Sequence, residues 1–430
     1  MKKIYFVALA FAFASCSDNI INDEIPVHDE DVKEEINEEE DKNPSRSIIL
    51  SESDRTLAEN QLEFACNLYK ASAAGCEIGN FIISPLSAYI DLSMVLNGAS
   101  GNTASELMSV LMKNASSIDS LNKFNEYLCS ELITLDNTTE LRIANSIWSN
   151  QSFEIEQSFI DVNENFYHAP STSLDFSKSE SFDLMNKWLD EATNGRIKEF
   201  QVERTPKLKL VIANALYFNG RWASPFDPKD TKDAEFINSD GSKSTVKMMH
   251  GERYNYVLPI TKDNNKFAIV EIPYGNSSFS FYVTFSVDEN DSSLSGIENV
   301  VNASTIKNLD WYMRHGIGFI ELPKFNISTD GDICESLEEM GIVELFRTPN
   351  LLNISKSAVG DVRIIQESNL TVEETGAEGA ATTYLMISSS PSPNSPQAKP
   401  VSFTVDRPFV FWIMEKSVGS ILFMGRVDKL

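Results

Sequence analysis

Cysteine and histidine, two residues often used as nucleophiles and metal ligands, are few and widely separated in this sequence. It contains five cysteines and four histidines, and no two cysteines have the CxxC spacing of zinc sites and dithiol redox sites. The GxSxG and HExxH motifs of hydrolases are also absent. We therefore expect neither an enzyme nor a metal or cofactor site, and an exported hydrolase is a disfavoured alternative. The histidines, to which no catalytic role is assigned, are His28, His168, His250 and His315.

Cys16 is the cysteine for which the surrounding sequence predicts a chemical fate. Two lysines precede an apolar run over residues 4–14, which is typical of a secretory signal peptide and too short to span a membrane. The pattern resembles a bacterial lipoprotein signal, in which the cysteine is lipidated and becomes the first residue. Phe13 stands where such signals usually have leucine. The alternative is an ordinary signal peptide with a cysteine near its end by chance.

This resemblance implies an exported protein, on the outer membrane or the cell surface of a Gram-negative bacterium. Residues 1–15 would be the signal peptide, and a lipid on Cys16 would hold the chain at a membrane. In an exported chain of this length, the other cysteines do not make a disulfide framework, and we expect them to be small buried apolar residues. They are Cys66, Cys76, Cys129 and Cys334.

The charge of the chain is strongly acidic and unevenly distributed. The formal net charge is −27, which disfavours contact with phosphate backbones and so excludes nucleic acid as a partner. Residues 17–47 contain twelve acidic and three basic residues, without leucine or an aromatic residue. Such a composition cannot form a core, and it predicts a solvated tether over residues 16–47. Residues 48–430 are interpreted as one continuous domain.

The domain mixes helical and strand periodicity. Apolar residues at helical spacing predict helices over 57–70, 86–96 and 185–192, the second of them capped by Ser84 with Pro85 in its first turn. Strand-like runs follow, mainly in the second half, at 209–218, 267–272, 279–285, 318–322 and 403–411. This distribution indicates an α+β fold with large, mostly antiparallel sheets.

One long segment fits neither pattern. Residues 375–402 consist mainly of Ser, Pro, Gly, Ala and Thr, and only Glu378 and Lys399 are charged. A loop of this length inside a compact domain is uncommon and usually has a function or is disordered.

A series of segments, in order and with the right spacing, resembles the serpin family. The similarity covers about residues 50–430, and the segments include TNGRI at 193–197, IANALYFNGRW at 212–222, DRPFVF at 406–411 and ILFMGRV at 421–427. The remaining matching segments are 80–87, 96–104, 246–249, 323–325 and 337–346. The resemblance implies helices around three β-sheets, with an exposed reactive-centre loop at about 374–402.

The resemblance also implies residues that control the opening of the main sheet. A buried polar cluster, the shutter, would include Ser84, Ser87 and Asn214, and Gln366 occupies the position of the family's histidine. Glutamine can still donate and accept hydrogen bonds, but it does not titrate. Trp222 belongs to the breach at the top of the sheet. There, Lys324 and Glu374 match a charged pair of the family.

The family's loop hinge has the form Glu-x-Gly-x-Glu-Ala-Ala-Ala, and here the corresponding residues are small except for two glutamates. After cleavage this hinge would enter the sheet as a strand, with every second side chain facing inward, so bulk or charge at those positions would block entry. The hinge residues are Glu374, Gly376, Ala377, Glu378, Gly379, Ala380, Ala381 and Thr382, with Gly379 where alanine is usual.

The scissile bond follows from counting along the loop. Counted from Glu374, the family pattern ends at Ser390, but Pro391 follows it, so we expect cleavage between Ser389 and Ser390. Counting back from the C-terminal motif leads instead to Gln397, because the loop is longer than is typical. Ile387 closes a cluster that is attractive to proteases by side chain, but cleavage there would leave a short insert.

The resemblance implies a suicide-substrate inhibitor and not a catalyst. Its partner would be a serine protease of elastase-like or broad specificity, with a cysteine protease as the second class, and the inhibitor is expected to be a monomer. The alternative is a serpin fold that binds without inhibiting. Small hinge residues favour inhibition.

Overall fold

The computed structural model describes residues 43–75, 79–115, 117–200, 208–262, 265–288, 291, 294–357, 362–376 and 401–430. The longer helices are α1 (Glu52–Gly75), α2 (Pro85–Leu96), α3 (Gly101–Leu111), α4 (Ile118–Thr134), α5 (Gln157–Tyr167) and α6 (Ser179–Ala192). The short helices are α7 (Ser295–Glu298), α8 (Ala303–Lys307), α9 (Leu309–Tyr312), α10 (Cys334–Glu339) and α11 (Glu344–Arg347).

The strands fall mainly in the second half. They are β1 (Phe81–Ile83), β2 (Glu140–Asn150), β3 (Ser171–Leu174), β4 (Leu210–Asn219), β5 (Lys232–Ile237), β6 (Lys243–Lys262), β7 (Asn265–Pro273), β8 (Phe279–Ser286), β9 (Arg314–Pro323), β10 (Phe325–Asp332), β11 (Ile365–Val372), β12 (Val401–Thr404), β13 (Phe409–Glu415) and β14 (Ser420–Val427).

The largest sheet contains nine strands. Its order is β1-β14-β13-β8-β7-β6-β9-β12, and β5 pairs with β6 off this path. Every residue of β8, β13 and β14 is buried, so both faces of these strands are covered. Their side chains belong to the main hydrophobic core, which includes the stacked rings of Tyr282 and Trp412 at a centroid distance of 5.3 Å.

The prediction of a single strand over 403–411 was wrong, because the chain forms two strands there. β12 pairs with β9, whereas β13 pairs with β8 and β14 elsewhere in the sheet. Between them the Val405 N–H still donates to the Glu321 carbonyl at 2.9 Å, and the Ile237 N–H donates to the Asp406 carbonyl at 2.7 Å. Pro408 has no N–H to donate to a neighbouring strand. It therefore separates β12 from β13.

Two smaller sheets complete the β structure. β3, β2 and β4 form one, with β2 and β4 antiparallel from Glu140↔Asn219 to Ser149↔Leu210. β10 and β11 form the other, antiparallel from Phe325↔Val372 to Asp332↔Ile365. The expected α+β class with three sheets is confirmed.

α2 is the central helix of the domain. The Ser84 side chain caps it by accepting a hydrogen bond from the Ser87 N–H at 3.4 Å, and Pro85 occupies its first turn. Apart from Asp91, all of its residues are buried, and it packs against α1, α3, α4, β4 and β14. This placement puts Ser84 and Ser87 in the interior.

Residues 43–47 belong to the domain, although their composition had placed them in the tether. Asn43 donates to the Asp136 carboxylate at 2.8 Å, and Arg46 forms an ion pair with Glu131 at 2.6 Å. Ile48 is buried. These contacts fasten the chain to the end of α4 before α1 begins.

Among the described helices, none combines the length and the apolar character that a bilayer crossing needs.

Candidate functional site: the cleft and the latch

β4 and β11 face each other across a narrow space, which we call the cleft. Within the described residues, β4 pairs only with β2 and β11 pairs only with β10, so one edge of each strand has no ladder partner. Side chains of both strands line the cleft, together with Phe423 and the turn after α6 (Thr193, Arg196 and Ile197). Its volume of about 30 Å³ is far too small for another strand, so any strand that enters must push β4 and β11 apart.

Two buried polar atoms lie on these facing strands without a partner. Over the described chain, neither the Oδ1 of Asn214 on β4 nor the Oγ of Ser368 on β11 has a hydrogen-bond partner. A buried polar atom left in this way costs about 1–3 kcal/mol. The closed arrangement therefore leaves hydrogen-bonding capacity unused beside the cleft.

The structure brings three of the four shutter residues together. The Gln366 side chain accepts from the Ser84 N–H at 2.8 Å and donates to the Ser84 carbonyl at 2.7 Å. The Ser84 hydroxyl donates to the Leu422 carbonyl at 2.8 Å and lies 3.0 Å from the Ser87 hydroxyl. These bonds tie β11 to the start of α2 and to β14.

Asn214 is not joined to this group. The register of β4 on β2 places it opposite Asn145, and its amide donates to the Asn145 side-chain oxygen at 2.7 Å. Both ends of the Gln366 amide bind Ser84 instead. The expected four-residue shutter is therefore divided between two hydrogen-bonded groups.

The second group was not foreseen from the sequence. Asn145 donates to the Tyr167 carbonyl at 2.7 Å, and the Tyr167 hydroxyl donates to Asn122 at 2.7 Å. Asn122 in turn donates to Asn97 at 2.8 Å. This path links the end of α2 through α4, α5 and β2 to β4. Asparagines recurring among apolar helix and strand positions are the signal that could have indicated it.

At one end of the cleft, the backbone after β11 is held by hydrogen bonds that we call the latch, formed between residues 221–226 and 373–376. The Trp222 indole donates to the Glu373 carbonyl at 2.8 Å, and the Trp222 N–H donates to the Thr375 carbonyl at 3.1 Å. The Phe226 N–H donates to the Glu374 carbonyl at 2.9 Å. Three consecutive carbonyls of the hinge start are thus bound.

The side chain of Glu374 adds an ion pair to the latch. Its Oε2 lies 2.7 Å from Lys324 Nζ, and its Oε1 accepts from the Thr231 hydroxyl at 2.9 Å. Burial opposes the charged form, but hydrogen bonds from Lys324, from its own backbone and from Thr231 outweigh this effect and lower the pKa of the carboxyl. The ion pair expected from the sequence is present. The sequence prediction for this ion pair named no second donor, and Thr231 supplies one.

Trp222 is fixed by an aromatic cluster. It is 2% exposed and stacks on Tyr274 at a centroid distance of 4.4 Å, with Phe226 and Phe281 meeting it edge-on. A ring so enclosed cannot rotate without disturbing its neighbours. The two donors of Trp222 therefore have fixed positions.

Gly376 ends the described hinge in a conformation that favours glycine. Its φ is 134°, and an added Cβ would lie 2.2 Å from the Gly220 carbonyl oxygen. The backbone of 376 thus lies so close to the backbone of 220–222 that a residue with a side chain would not fit at position 376.

Several residues predicted for the site lie outside the described residues, as does Cys76. They are Cys16, Ala377, Glu378, Gly379, Ala380, Ala381, Thr382, Ile387, Ser389, Ser390 and Gln397.

The described cysteines form no disulfide with one another. Burial raises the pKa of the Cys66, Cys129 and Cys334 thiols to about 12, so they are protonated at neutral pH. Among the described residues, no three His, Cys, Asp or Glu side chains are grouped so that they could hold a metal ion.

Comparison with known proteins identifies relatives over most of the chain. The sequence model of the family Serpin (serine protease inhibitor) matches residues 59–430. A serpin-like protein of Methanosarcina acetivorans is 29% identical over 391 residues, which cover 88% of this chain and 89% of that protein.

Solved structures agree on the fold. The native thermophilic serpin tengpin superimposes with a TM-score of 0.76 at 25% identity, covering 90% of this chain and 97% of that one. Thyroxine-binding globulin in complex with thyroxine superimposes with a TM-score of 0.74, covering 86% of this chain and 98% of that one. At 21% identity, the second likeness concerns the fold alone.

Proposed function

The chain belongs to the serpin family, and from this premise we propose that it inhibits proteases as a suicide substrate. The protease cleaves the reactive-centre loop, the loop enters the cleft as a new strand, and the enzyme remains bound as an acyl-enzyme. The catalytic groups belong to the target protease, and this protein supplies the substrate and the driving force.

The observation that carries the proposal is the pair of strand edges at the cleft. β4 and β11 each lack a ladder partner on the facing edge within the described chain. A strand inserted between them would satisfy both edges, giving the hydrogen bonds of two new ladders. The uncleaved protein is therefore kinetically trapped above its lowest free energy.

The hinge composition suits this insertion. Ala377, Gly379 and Ala381 would face inward in alternation, where their small size allows β4 and β11 to close on them, while Glu378 would face solvent. The latch holds residues 373–376 beside the cleft, where insertion would begin. A strand of 16 or 17 residues would extend roughly 50–55 Å, enough to carry the bound protease across the molecule.

Trapping depends on the rate of loop insertion relative to the rate of deacylation. A serine or cysteine protease forms a covalent acyl-enzyme at the scissile bond, which we place between Ser389 and Ser390, with Ile387 and Gln397 as alternative positions. If insertion is faster than deacylation, the displaced enzyme loses its oxyanion hole and the acyl group stays in place. Small residues around the bond suit an elastase-like or broadly specific target.

The competing function is a serpin-fold binding protein that does not inhibit. Thyroxine-binding globulin, solved in complex with thyroxine, shares the fold. Such a protein has no need of small side chains at the inward hinge positions. The small hinge residues of this chain, Gly379 included, favour inhibition.

The decisive experiment mixes the chain from residue 17, without the signal peptide and Cys16, with elastase-like, trypsin-like and subtilisin-like proteases. A band at the summed mass on a denaturing gel would establish the covalent trap, and the mass of the released C-terminal peptide would locate the cut. Cleavage without such a band for every protease would refute the mechanism and favour the binding protein.

Two matched variants sharpen this test. Ala377→Arg puts a large charge at an inward position, and we expect it to convert the inhibitor into a plain substrate. Glu378→Arg makes a similar change at the adjacent outward position and should leave the covalent complex intact. Equal behaviour of the two variants would contradict strand insertion.

We also propose that the protein is exported and anchored by a lipid on Cys16, on the outer membrane or the cell surface of a Gram-negative bacterium. The apolar run before Cys16 and the acidic segment after it support this localisation. Mass spectrometry of the N-terminal peptide from membranes should find the added acyl mass. An unmodified Cys16, or a Cys16→Ala variant still held in the membrane fraction, would refute it.

A further inference from the structure

Arg253 on β6 carries a guanidinium that is buried with most of its donors unused. The residue is 4% exposed, and its Nη1 donates to the Glu252 carbonyl at 2.6 Å. Across the described residues, its Nε and Nη2 find no acceptor. Burial disfavours the charged form and lowers the pKa of the guanidinium. A charge placed in this way requires a compensating contact.

That contact is the ring of Phe226. The guanidinium carbon of Arg253 lies 4.0 Å from the ring centroid, within the range of a cation–π interaction. Gly251 makes room for the pair, because a Cβ there would lie 2.9 Å from the Phe226 ring and 3.0 Å from Arg253 Nη1. The strand is therefore shaped to hold the guanidinium against this ring.

Phe226 connects Arg253 directly to the latch. Its N–H donates to the Glu374 carbonyl at 2.9 Å, and its ring meets Trp222 edge-on at 6.3 Å. A rotation of the Phe226 ring would therefore disturb the donors that bind the hinge start. Two contacts separate Arg253 from Glu374.

We propose that Arg253 is a positioning residue that holds the latch closed by fixing Phe226, and that it thereby sets the rate of hinge release. The rate matters for inhibition only if the proposed function holds, but the positioning itself does not depend on it.

Hydrogen exchange of the chain from residue 17, measured without any protease, tests this inference. Arg253→Met keeps an unbranched apolar stem and removes the guanidinium with its charge. We expect exchange at the amides of Trp222 and Phe226 to rise about five- to thirty-fold, the factor for loss of a desolvated cation–π contact. Amides in β13 should keep their exchange rates, which separates a local effect from a general loss of stability.

Two further variants serve as controls for this experiment. Arg253→Lys keeps the charge without the planar guanidinium, and an intermediate rise is expected even if the methionine variant folds poorly. Arg407→Met removes another buried guanidinium, one paired with Asp406, and should leave the peptide 221–227 unchanged.

A double-mutant cycle with Phe226→Leu identifies the route of the effect. If Arg253 acts through Phe226, then Arg253→Met should add little to the exchange in the Phe226→Leu background. Additive effects, or unchanged exchange at 221–227 in both Arg253 variants, would overturn the inference. If exchange rises as expected but no protease is trapped, the proposed function fails while the positioning role stands.

Discussion

Lys324 and Glu374 form an ion pair of 2.7 Å that joins the residue between β9 and β10 to the start of the hinge. Their side chains are 31% and 12% exposed, so solvent weakens the pair without abolishing it. The pair contributes to holding the end of β11 near Trp222. If the sheet opens for loop insertion as proposed, the pair would act mainly on the rate, because it lies where opening would begin.

Reversal of the charge at Lys324 should accelerate spontaneous insertion or polymerisation. Lys324→Glu replaces attraction by repulsion next to Glu374, and we expect the half-life on native gels to shorten about fivefold, the factor for roughly 1 kcal/mol. Lys429→Glu is the control, since it reverses an exposed pair with Asp240. An unchanged half-life for Lys324→Glu would show that the pair does not restrain the latch.

The latch should weaken at acidic pH through Glu374. Its pKa is lowered in the folded protein, so the ion pair contributes fully above the ordinary value of about 4.3 and is lost as pH falls below it. We expect the conversion rate to be flat above about pH 5 and to rise below about pH 4.

The Glu374→Gln variant isolates this carboxyl from others with lowered pKa values, such as Asp136 and Asp332. It should convert faster than the native chain at neutral pH and show a shallower rise in acid. Parallel pH profiles for the two proteins would assign the acid response to other groups.

Substitution of Gly376 should open the latch. Gly376→Ala requires a side chain at a φ of 134° and places it 2.2 Å from the Gly220 carbonyl. We expect faster hydrogen exchange at the Trp222 amide and a shorter half-life of the uncleaved form. Gly241→Ala is matched in having a positive φ, 78°, but an added Cβ meets nothing within 4 Å. If both variants behave alike, backbone strain and not the close approach is responsible.

Loss of the Gln366 amide should loosen the shutter. Gln366→Met keeps the length of the side chain but leaves the Ser84 N–H and carbonyl without their partners, which should cost about 2 kcal/mol. A lower midpoint of thermal unfolding and faster polymer formation are the expected results. Gln157→Met, which removes an exposed amide, should change neither. A stable Gln366→Met protein would mean that water replaces both bonds.

Local chemistry made much of the site predictable. The cap at Ser84 and the proline after it could be anticipated from residue type, and the charged pair at the breach was implied by the family resemblance. The family match then confirmed the fold for residues 59–430.

The parts that could not be predicted depend on register and on long-range packing. Asn214 meets Asn145 only because β4 lies antiparallel to β2 with that particular alignment. The division of 403–411 into two strands reflects their different partners in the sheet, β9 for one and β8 and β14 for the other. The burial of Arg253 against Phe226 likewise has no local signal in a strand of mixed polarity.

The bonds of Asn43 and Arg46 determine where a mechanical load on the N terminus would enter the domain. If a lipid on Cys16 anchors the chain to a membrane, tension along the tether is first borne by Glu131 in the last turn of α4 and by Asp136 just after that helix. Asp136 also accepts hydrogen bonds from the side chains of Thr138 and Thr139, so the force spreads into the turn that leads to β2. A pulling force on the N terminus would thus be resisted as shear across this turn before the force could unwind α1.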